Sequence, residues 1–265
     1  MLIDLHVHTS RYSPCGVSKP EEMVARALES GLQGLVFTEH DIVWPAAELG
    51  ELQGRFPEVR LYRGIEITSA AGDDYLIYGV TEPGVFWPRM EAIELVRRVR
   101  VHDGTVILAH PYRYGPAVPA HLETHPVDGI EVLSSNILSY AHTQAWALCE
   151  RLGAFPLAAS DAHHTRMLGL YALHLARSVA DEGDLARALR KREFSLYVDA
   201  ARVSSENEAL QFHYDEARRL VDLGYDDRAI RDQLPGMSLA IVQGIREGLD
   251  VRRPGQVRVG WRLSH

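Results

Sequence analysis

Along this chain, apolar strand-like runs repeatedly end in side chains that bind metals: His6 and His8, His40, Glu66, His110, and Asp161 with His163. One strand end can seldom cage a hydrolytic metal cluster, whereas several neighbouring strand ends can. Strand-like and helix-like patterns alternate over residues 1–200, an order that predicts parallel strands covered by helices. Sites in such folds lie at the carboxyl ends of the strands, which is where these side chains fall. Ligands drawn from strands spread along the chain fit a closed barrel better than an open sheet.

The individual runs support this. Leu2–Val7 alternates and passes into a polar loop, and Pro20, Glu21 and Glu22 after Ser18-Lys19 read as a helix start with Gly31 as its stop. Residues 34–38 (GLVFT) end in Glu39-His40-Asp41. Residues 60–68 and 75–80 flank a turn at 70–74 and predict a hairpin. Helical periodicity over 88–102 breaks at Gly104, before the apolar strand 105–109 (TVILA) and His110-Pro111. Strands at 128–133 and 155–159 flank a helix at 137–152, and strands at 170–176 and 194–198 flank one near 185–191.

From about residue 201 the character changes. An amphipathic helix is predicted over 206–223, stopped at Gly224; a second over 226–234 is broken by Pro235-Gly236; Ser238 caps a third over 239–249. The division expected is a barrel over 1–200 and a small all-helical extension with a basic tail over 201–265. Residues 226–249 have a helix-turn-helix look, with a turn one residue long for that motif. Three readings of the extension stand: DNA binding, a packing or dimerising element that gives a homo-oligomer, or a substrate lid.

The 265 residues can bury a full core. With 28 basic and 36 acidic side chains the net charge is −8, which disfavours nucleic-acid partners because their binding relies on neutralising phosphates. Cys15 and Cys149 are the two cysteines, too few for a disulfide framework. No apolar run reaches the about 20 residues that span a bilayer. The opening MLIDLHVH reads as strand and leaves no signal peptide, so a cytoplasmic protein is expected.

His6 and His8 stand two apart on a strand, so both imidazoles project to one face, about 7 Å apart along the chain. Either both reach one ion, or one is an ordinary core or surface histidine. Asp161-Ala162-His163 repeats the geometry after another apolar strand. Glu66, in Gly-Ile-Glu-Ile, would be costly to bury unpaired. A bridge between two cations would settle that cost; an outward-facing Glu on a half-exposed strand would avoid it. Arg113, two residues past His110, suits a phosphate clamp because guanidinium matches phosphate oxygens bidentately; the alternative is a solvated loop arginine.

His6-Val7-His8, Thr38-Glu39-His40-Asp41, Gly64-Ile65-Glu66, Ala109-His110-Pro111 and Ser160-Asp161-Ala162-His163 resemble, in order and spacing, the successive motifs of the PHP (polymerase and histidinol phosphatase) superfamily. The resemblance covers about residues 1–200. It implies an α/β fold, a distorted (β/α)7 barrel holding two or three divalent ions, usually zinc, manganese or iron. It further implies that His6 and His8 hold a first ion, with Glu66 bridging to a second held by His110 and Asp161 completing the cluster, and that His40 and His163 hold a third.

Three positions depart from the family pattern. Where relatives carry an acid or histidine after the first motif, this chain has Ser13-Pro14-Cys15-Gly16, so Cys15 is either a soft ligand or a plain loop thiol. Ser134-Ser135-Asn136 stands where relatives supply a histidine, leaving Asn136 as an oxygen ligand or a substrate contact. Glu39 stands where Asp is common.

The function expected is a metal-dependent phosphoric ester hydrolase that cleaves a small-molecule phosphate monoester with a metal-activated hydroxide. Arg113 would hold the phosphate, and His163 or a water would supply the leaving-group proton. Loops 41–54 and 112–126 would select the substrate. A phosphodiesterase or exonuclease, and a non-enzymatic regulator using the C-terminal helices, are the competing classes.

Overall fold

The computed structural model of the protein describes residues 1–113, 115–234 and 237–257. The Pro235-Gly236 break and the tail beyond residue 257 lie outside the described residues. Among these residues, strands β1 (Leu2–Val7), β2 (Gly34–Phe37), β3 (Arg60–Thr68), β4 (Asp74–Tyr78), β5 (Thr105–Leu108), β6 (Gly129–Leu133), β7 (Phe155–Ala158), β8 (Tyr171–Leu175) and β9 (Phe194–Val198) form one sheet in the order β7-β6-β5-β4-β3-β2-β1-β8-β9. Helices α1 (Pro20–Glu29), α2 (Ala46–Arg55), α3 (Ala92–Val101), α4 (Ser139–Leu152) and α5 (Glu182–Arg190) connect the strands.

Strands β1, β2 and β3 run parallel, as do β5, β6 and β7; β4 pairs antiparallel with both β3 and β5. The predicted hairpin is therefore present, Thr68 facing Asp74 and Gly64 facing Tyr78. The barrel closes where the exit of β7 reaches β1: His8 N–H donates to Ala162 O at 2.9 Å and Ala162 N–H to His6 O at 3.1 Å. Below this closure β8 pairs antiparallel with β1 through Leu2 and Ile3, and β9 antiparallel with β8. The fold is the α/β barrel class expected, with β4 and the β8–β9 pair departing from a uniform parallel order.

Apolar residues on successive strands build the main core, with Ile3, Leu5, Ile67, Leu76, Val106, Ile107, Ile130 and Leu157 all buried. A second cluster lies under α1 and α2, where Met23, Val24, Leu49 and Leu52 meet Leu35 and Phe37. Loop 41–54, expected to be irregular, contains α2 in its second half.

Helices α6 (Ala200–Asp222), α7 (Asp227–Gln233) and α8 (Leu239–Arg246) follow β9 directly. α6 starts six residues before the amphipathic pattern because Asp199 caps it, accepting from Arg202 N–H at 3.1 Å. Ser238 caps α8 as predicted, accepting from Ile241 N–H. The three helices share a core of Tyr214, Ala217, Leu220, Ile230, Val242 and Ile245, to which Leu138 contributes from the start of α4. Among the described residues no helix is long and apolar enough to cross a membrane.

Candidate metal centre

The carboxyl ends of β1, β2, β3, β5 and β7 bring His6, His8, His40, Glu66, His110, Asp161 and His163 to one place. Glu66 sits in the middle. Its Oε2 lies 3.3 Å from His6 Nε2, 3.1 Å from His8 Nε2 and 3.1 Å from His40 Nδ1, while Oε1 lies 3.0 Å from His110 Nε2. Asp161 Oδ1 faces His6 and His8 at 3.3 and 3.4 Å and His163 Nδ1 at 3.5 Å. The Nε2 atoms of His6 and His8 approach to 3.0 Å. Except for the two outermost imidazoles, of His40 and His163, these side chains are almost wholly buried.

Strand ends alone do not aim these groups; local backbone does. His110 and Asp161 adopt φ of +22° and +50°, as do Asp41 at +60° and Tyr112 at +65° beside them. Such conformations cost energy in residues other than glycine and gather where a site dictates direction.

The rings of His6 and His8 are oriented from behind. His6 Nδ1 lies 3.0 Å from Glu131 Oε1, and Glu131 Oε2 accepts from His110 N–H at 2.9 Å. His8 Nδ1 lies 3.2 Å from Ser13 Oγ, which also accepts from His40 N–H at 3.1 Å. Ser13 and Thr9 donate to the buried Glu39, which accepts from Trp44 Nε1 as well. Each ring thus has one nitrogen engaged by the protein and Nε2 turned inward, the arrangement by which carboxylates orient metal-binding imidazoles.

The donor set fits divalent ions. Asp161 Oδ1 is buried without a hydrogen-bond donor. Lone pairs of nitrogen and oxygen crowd the same small space, which a cation resolves and protein hydrogen bonds do not. Ligand atoms fall within 4.8 Å of one another in four overlapping groups: His6, His8 and Glu66; His6, His110 and Asp161; Glu66, Asp74 and His110; and His8, Cys15, His40 and His163. Cys15 therefore joins the outer group, although it stands on the exposed rim. Burial first, and then Glu66, Asp161 and Glu39, push its thiol up to about 11.

Charges in the ion-free protein are shared between partners. Burial opposes ionisation of Glu66 and Asp161, but His6 and its neighbours hold both carboxyls well below their ordinary range. Burial likewise opposes the charged form of His8, yet the facing carboxyls of Asp161 and Glu66 raise it to about 9. Burial lowers His163 to about 4, which favours the neutral ring, a lone-pair donor.

Asn136 reaches the cluster, but by its amide nitrogen, which donates to Asp161 Oδ2 at 2.5 Å. Arg113 points the same way, its Nη1 3.7 Å from Asp161 Oδ2. A hollow of about 380 Å³ beside His110 is lined by Arg113, Asp73, Asp74 and residues of the 112–126 loop. Glu131 and Asp74 were not singled out from the sequence. Glu131 had a readable signal, since Gly129-Ile130-Glu131-Val132 repeats the Gly-Ile-Glu pattern around Glu66. Asp74 begins the antiparallel strand, where no motif marks it; its Oδ2 stands 3.9 Å from His110 Nε2.

An α/β barrel with an imidazole-carboxylate cluster at its strand ends is an architecture suited to holding divalent ions. The PHP-associated family (PHP_C) matches residues 139–194. No curated protein sequence matches the chain. Among solved structures, the fold is similar to a two-domain protein containing a predicted PHP-like metal-dependent phosphoesterase from Bacteroides vulgatus ATCC 8482, with TM-score 0.59, 18% identity and coverage of 76% of this chain. This chain spans 65% of that protein's length. It is also similar to PsfC from Pseudomonas syringae PB-5123, with TM-score 0.57, 21% identity, and coverage of 79% of this chain and 97% of the other. A candidate metal-dependent phosphoesterase from Bifidobacterium adolescentis ATCC 15703 has TM-score 0.51, 16% identity, and coverage of 71% and 95%. Residues 139–194 are thus similar to the PHP-associated family, and the solved structures, at 16–21% identity, share the fold of this chain.

Proposed function

We propose that the protein is a metal-dependent phosphoesterase acting on a small-molecule phosphate monoester, in the cytoplasm. One observation carries this reading: Glu66 turns its two oxygens toward different histidine sets, three imidazoles at Oε2 and His110 at Oε1, the geometry of a carboxylate shared between cations. His6, His8, Glu66, Asp161 and His110 would hold two ions, with Asp74 beside His110; His40, His163 and Cys15 would complete a third position. Two or three divalent ions, zinc, manganese or iron, would supply a hydroxide at neutral pH and neutralise phosphate oxygens.

The chain's own residues do the remaining work. Arg113, within reach of the cluster and lining the adjoining hollow, pairs with non-bridging phosphate oxygens. Glu131 and Ser13 keep His6 and His8 oriented. The acidic total charge and the modest size of the hollow favour a small ester over a polynucleotide.

The test compares an aryl phosphate monoester with a diester, with manganese or zinc added, for the natural protein and Glu66→Ala. Monoester turnover that depends on metal and disappears in Glu66→Ala is expected. Diester preference would reassign the substrate class, and full activity in Glu66→Ala would remove the scheme.

A further inference from the structure

Residues 134–138 join β6 to α4 and pass beside the metal centre. On the near side Ser135 N–H donates to Ser160 O at 3.1 Å, and Asn136 Nδ2 donates to Asp161 Oδ2 at 2.5 Å. The far side is held by the chain's last described stretch. Arg253 Nε donates to Ser135 O at 3.2 Å. Ser139 N–H and Oγ–H both donate to Arg252 O, at 2.8 and 2.9 Å, and Tyr140 N–H donates to Asp250 O at 3.2 Å.

Arg253 is itself anchored on α6. Its Nη1 lies 3.6 Å from Glu206 Oε2, and its backbone N–H and C=O pair with the side-chain amide of Asn207 at 2.9 and 3.0 Å. The Arg253 side chain is only 10% exposed. A cation is costly to bury, and a strap needed only for packing would be better served by an apolar residue. Its directional donor is used instead on the backbone carbonyl next to Asn136.

We propose that Arg253 is a positioning residue for the metal centre: through Ser135 O it fixes the 134–138 loop, so that Asn136 holds Asp161 Oδ2 while Oδ1 faces His6 and His8. Asn136 thereby serves as the partner that sets the direction of a ligand. α6 supplies Glu206 and Asn207, so the helical extension becomes part of the site's support. The inference rests on the metal-centre reading above.

The test uses full-length protein, stripped of metal and desalted, titrated with manganese alone. Arg253→Met is expected to weaken manganese binding about tenfold, and Asn136→Ala by a similar factor. The double variant should match the weaker single variant, because the two residues act in one chain of contacts. Ile230→Ala, in the core of α6–α8, should lower Tm and leave affinity unchanged. Unchanged affinity in Arg253→Met, multiplying effects in the double variant, or an equal loss in Ile230→Ala would each overturn the proposal. If Arg253→Met does not fold, Arg253→Lys, which keeps the charge but lacks the guanidinium's separate Nε and Nη1 donors, takes its place. It should weaken binding severalfold, with the loss again absorbed by Asn136→Ala; unchanged or multiplying behaviour would overturn the proposal equally. Natural protein that fails to bind manganese would sink the metal centre itself, whereas natural binding matched by Arg253→Met sinks only this inference.

Discussion

His8 shows how a single residue couples charge to ligand binding. Its ring is raised to about 9 in the ion-free protein, so at pH 7 it carries a proton that a cation must displace. Manganese or zinc binding at pH 7 should therefore release protons, and affinity should rise with pH, about tenfold per unit for each displaced proton, until pH 9 is reached. Calorimetric titration in buffers of different ionisation enthalpy measures this; an enthalpy independent of buffer would contradict it. Glu131 offers a second residue-scale test. In Glu131→Gln the amide oxygen can serve His6 or His110 N–H, but the NH₂ must face the other donor. Metal affinity should fall 10- to 100-fold, as for other carboxylates behind ligating imidazoles, and an unchanged titration would show that Glu131 is merely buried. The cluster itself was legible because His-x-His, Gly-Ile-Glu and Asp-Ala-His each follow an apolar strand. What could not be read was which partners stand behind it: Ser13 and Glu39 meet His8 through a loop whose path no periodicity encodes, and Asn136 turned its nitrogen, not its oxygen, toward Asp161.

Elements that run β then α were legible from their periods, as was the β3–β4 hairpin, while the direction of β8 and β9 was not. β4 follows β3 after a short turn and has to return antiparallel, and the β8–β9 pair folds back along the start of β1. The turn at 70–74 marked the first of these as a hairpin; the β8–β9 reversal leaves the apolar alternation of a strand unchanged, so the sequence pattern is silent on it. The boundary of α6 was displaced because Asp199 supplies a cap that outweighs the weak amphipathicity of the helix's first turns. Asp4 ties elements together in the same way. Its Oδ1 accepts from Ser160 N–H at 2.9 Å and Oδ2 from Gly169 N–H at 3.0 Å, joining β1 to the segments on either side of the barrel closure. Burial raises this carboxyl to about 6 against those donors. Asp4→Asn keeps one acceptor and points an NH₂ at the other N–H, and so should destabilise the fold by about 1–3 kcal/mol. Urea denaturation measures it; a midpoint equal to that of the natural protein would mean that the closure does not depend on these bonds.

For the whole molecule, the consequence is that the barrel closes where its most crowded polar groups meet. The Val7–Ala162 bridge lies between the two ligand pairs, His6 with His8 and Asp161 with His163. Ions held there would join the first strand to the last barrel strand, a site that the unfolded chain does not assemble. Binding to the native state alone stabilises it by about 2.7 kcal/mol at a hundredfold excess over Kd. For a chain of this size each kcal/mol moves Tm by about 2–4 °C. Adding manganese to stripped protein should accordingly raise Tm by roughly 5–10 °C, and a chelator should reverse the rise. Glu66→Ala removes the group that both ion positions share, so its Tm should not respond to metal. A metal-induced rise that persists undiminished in Glu66→Ala would mean that the ions stabilise the protein from somewhere other than the barrel closure.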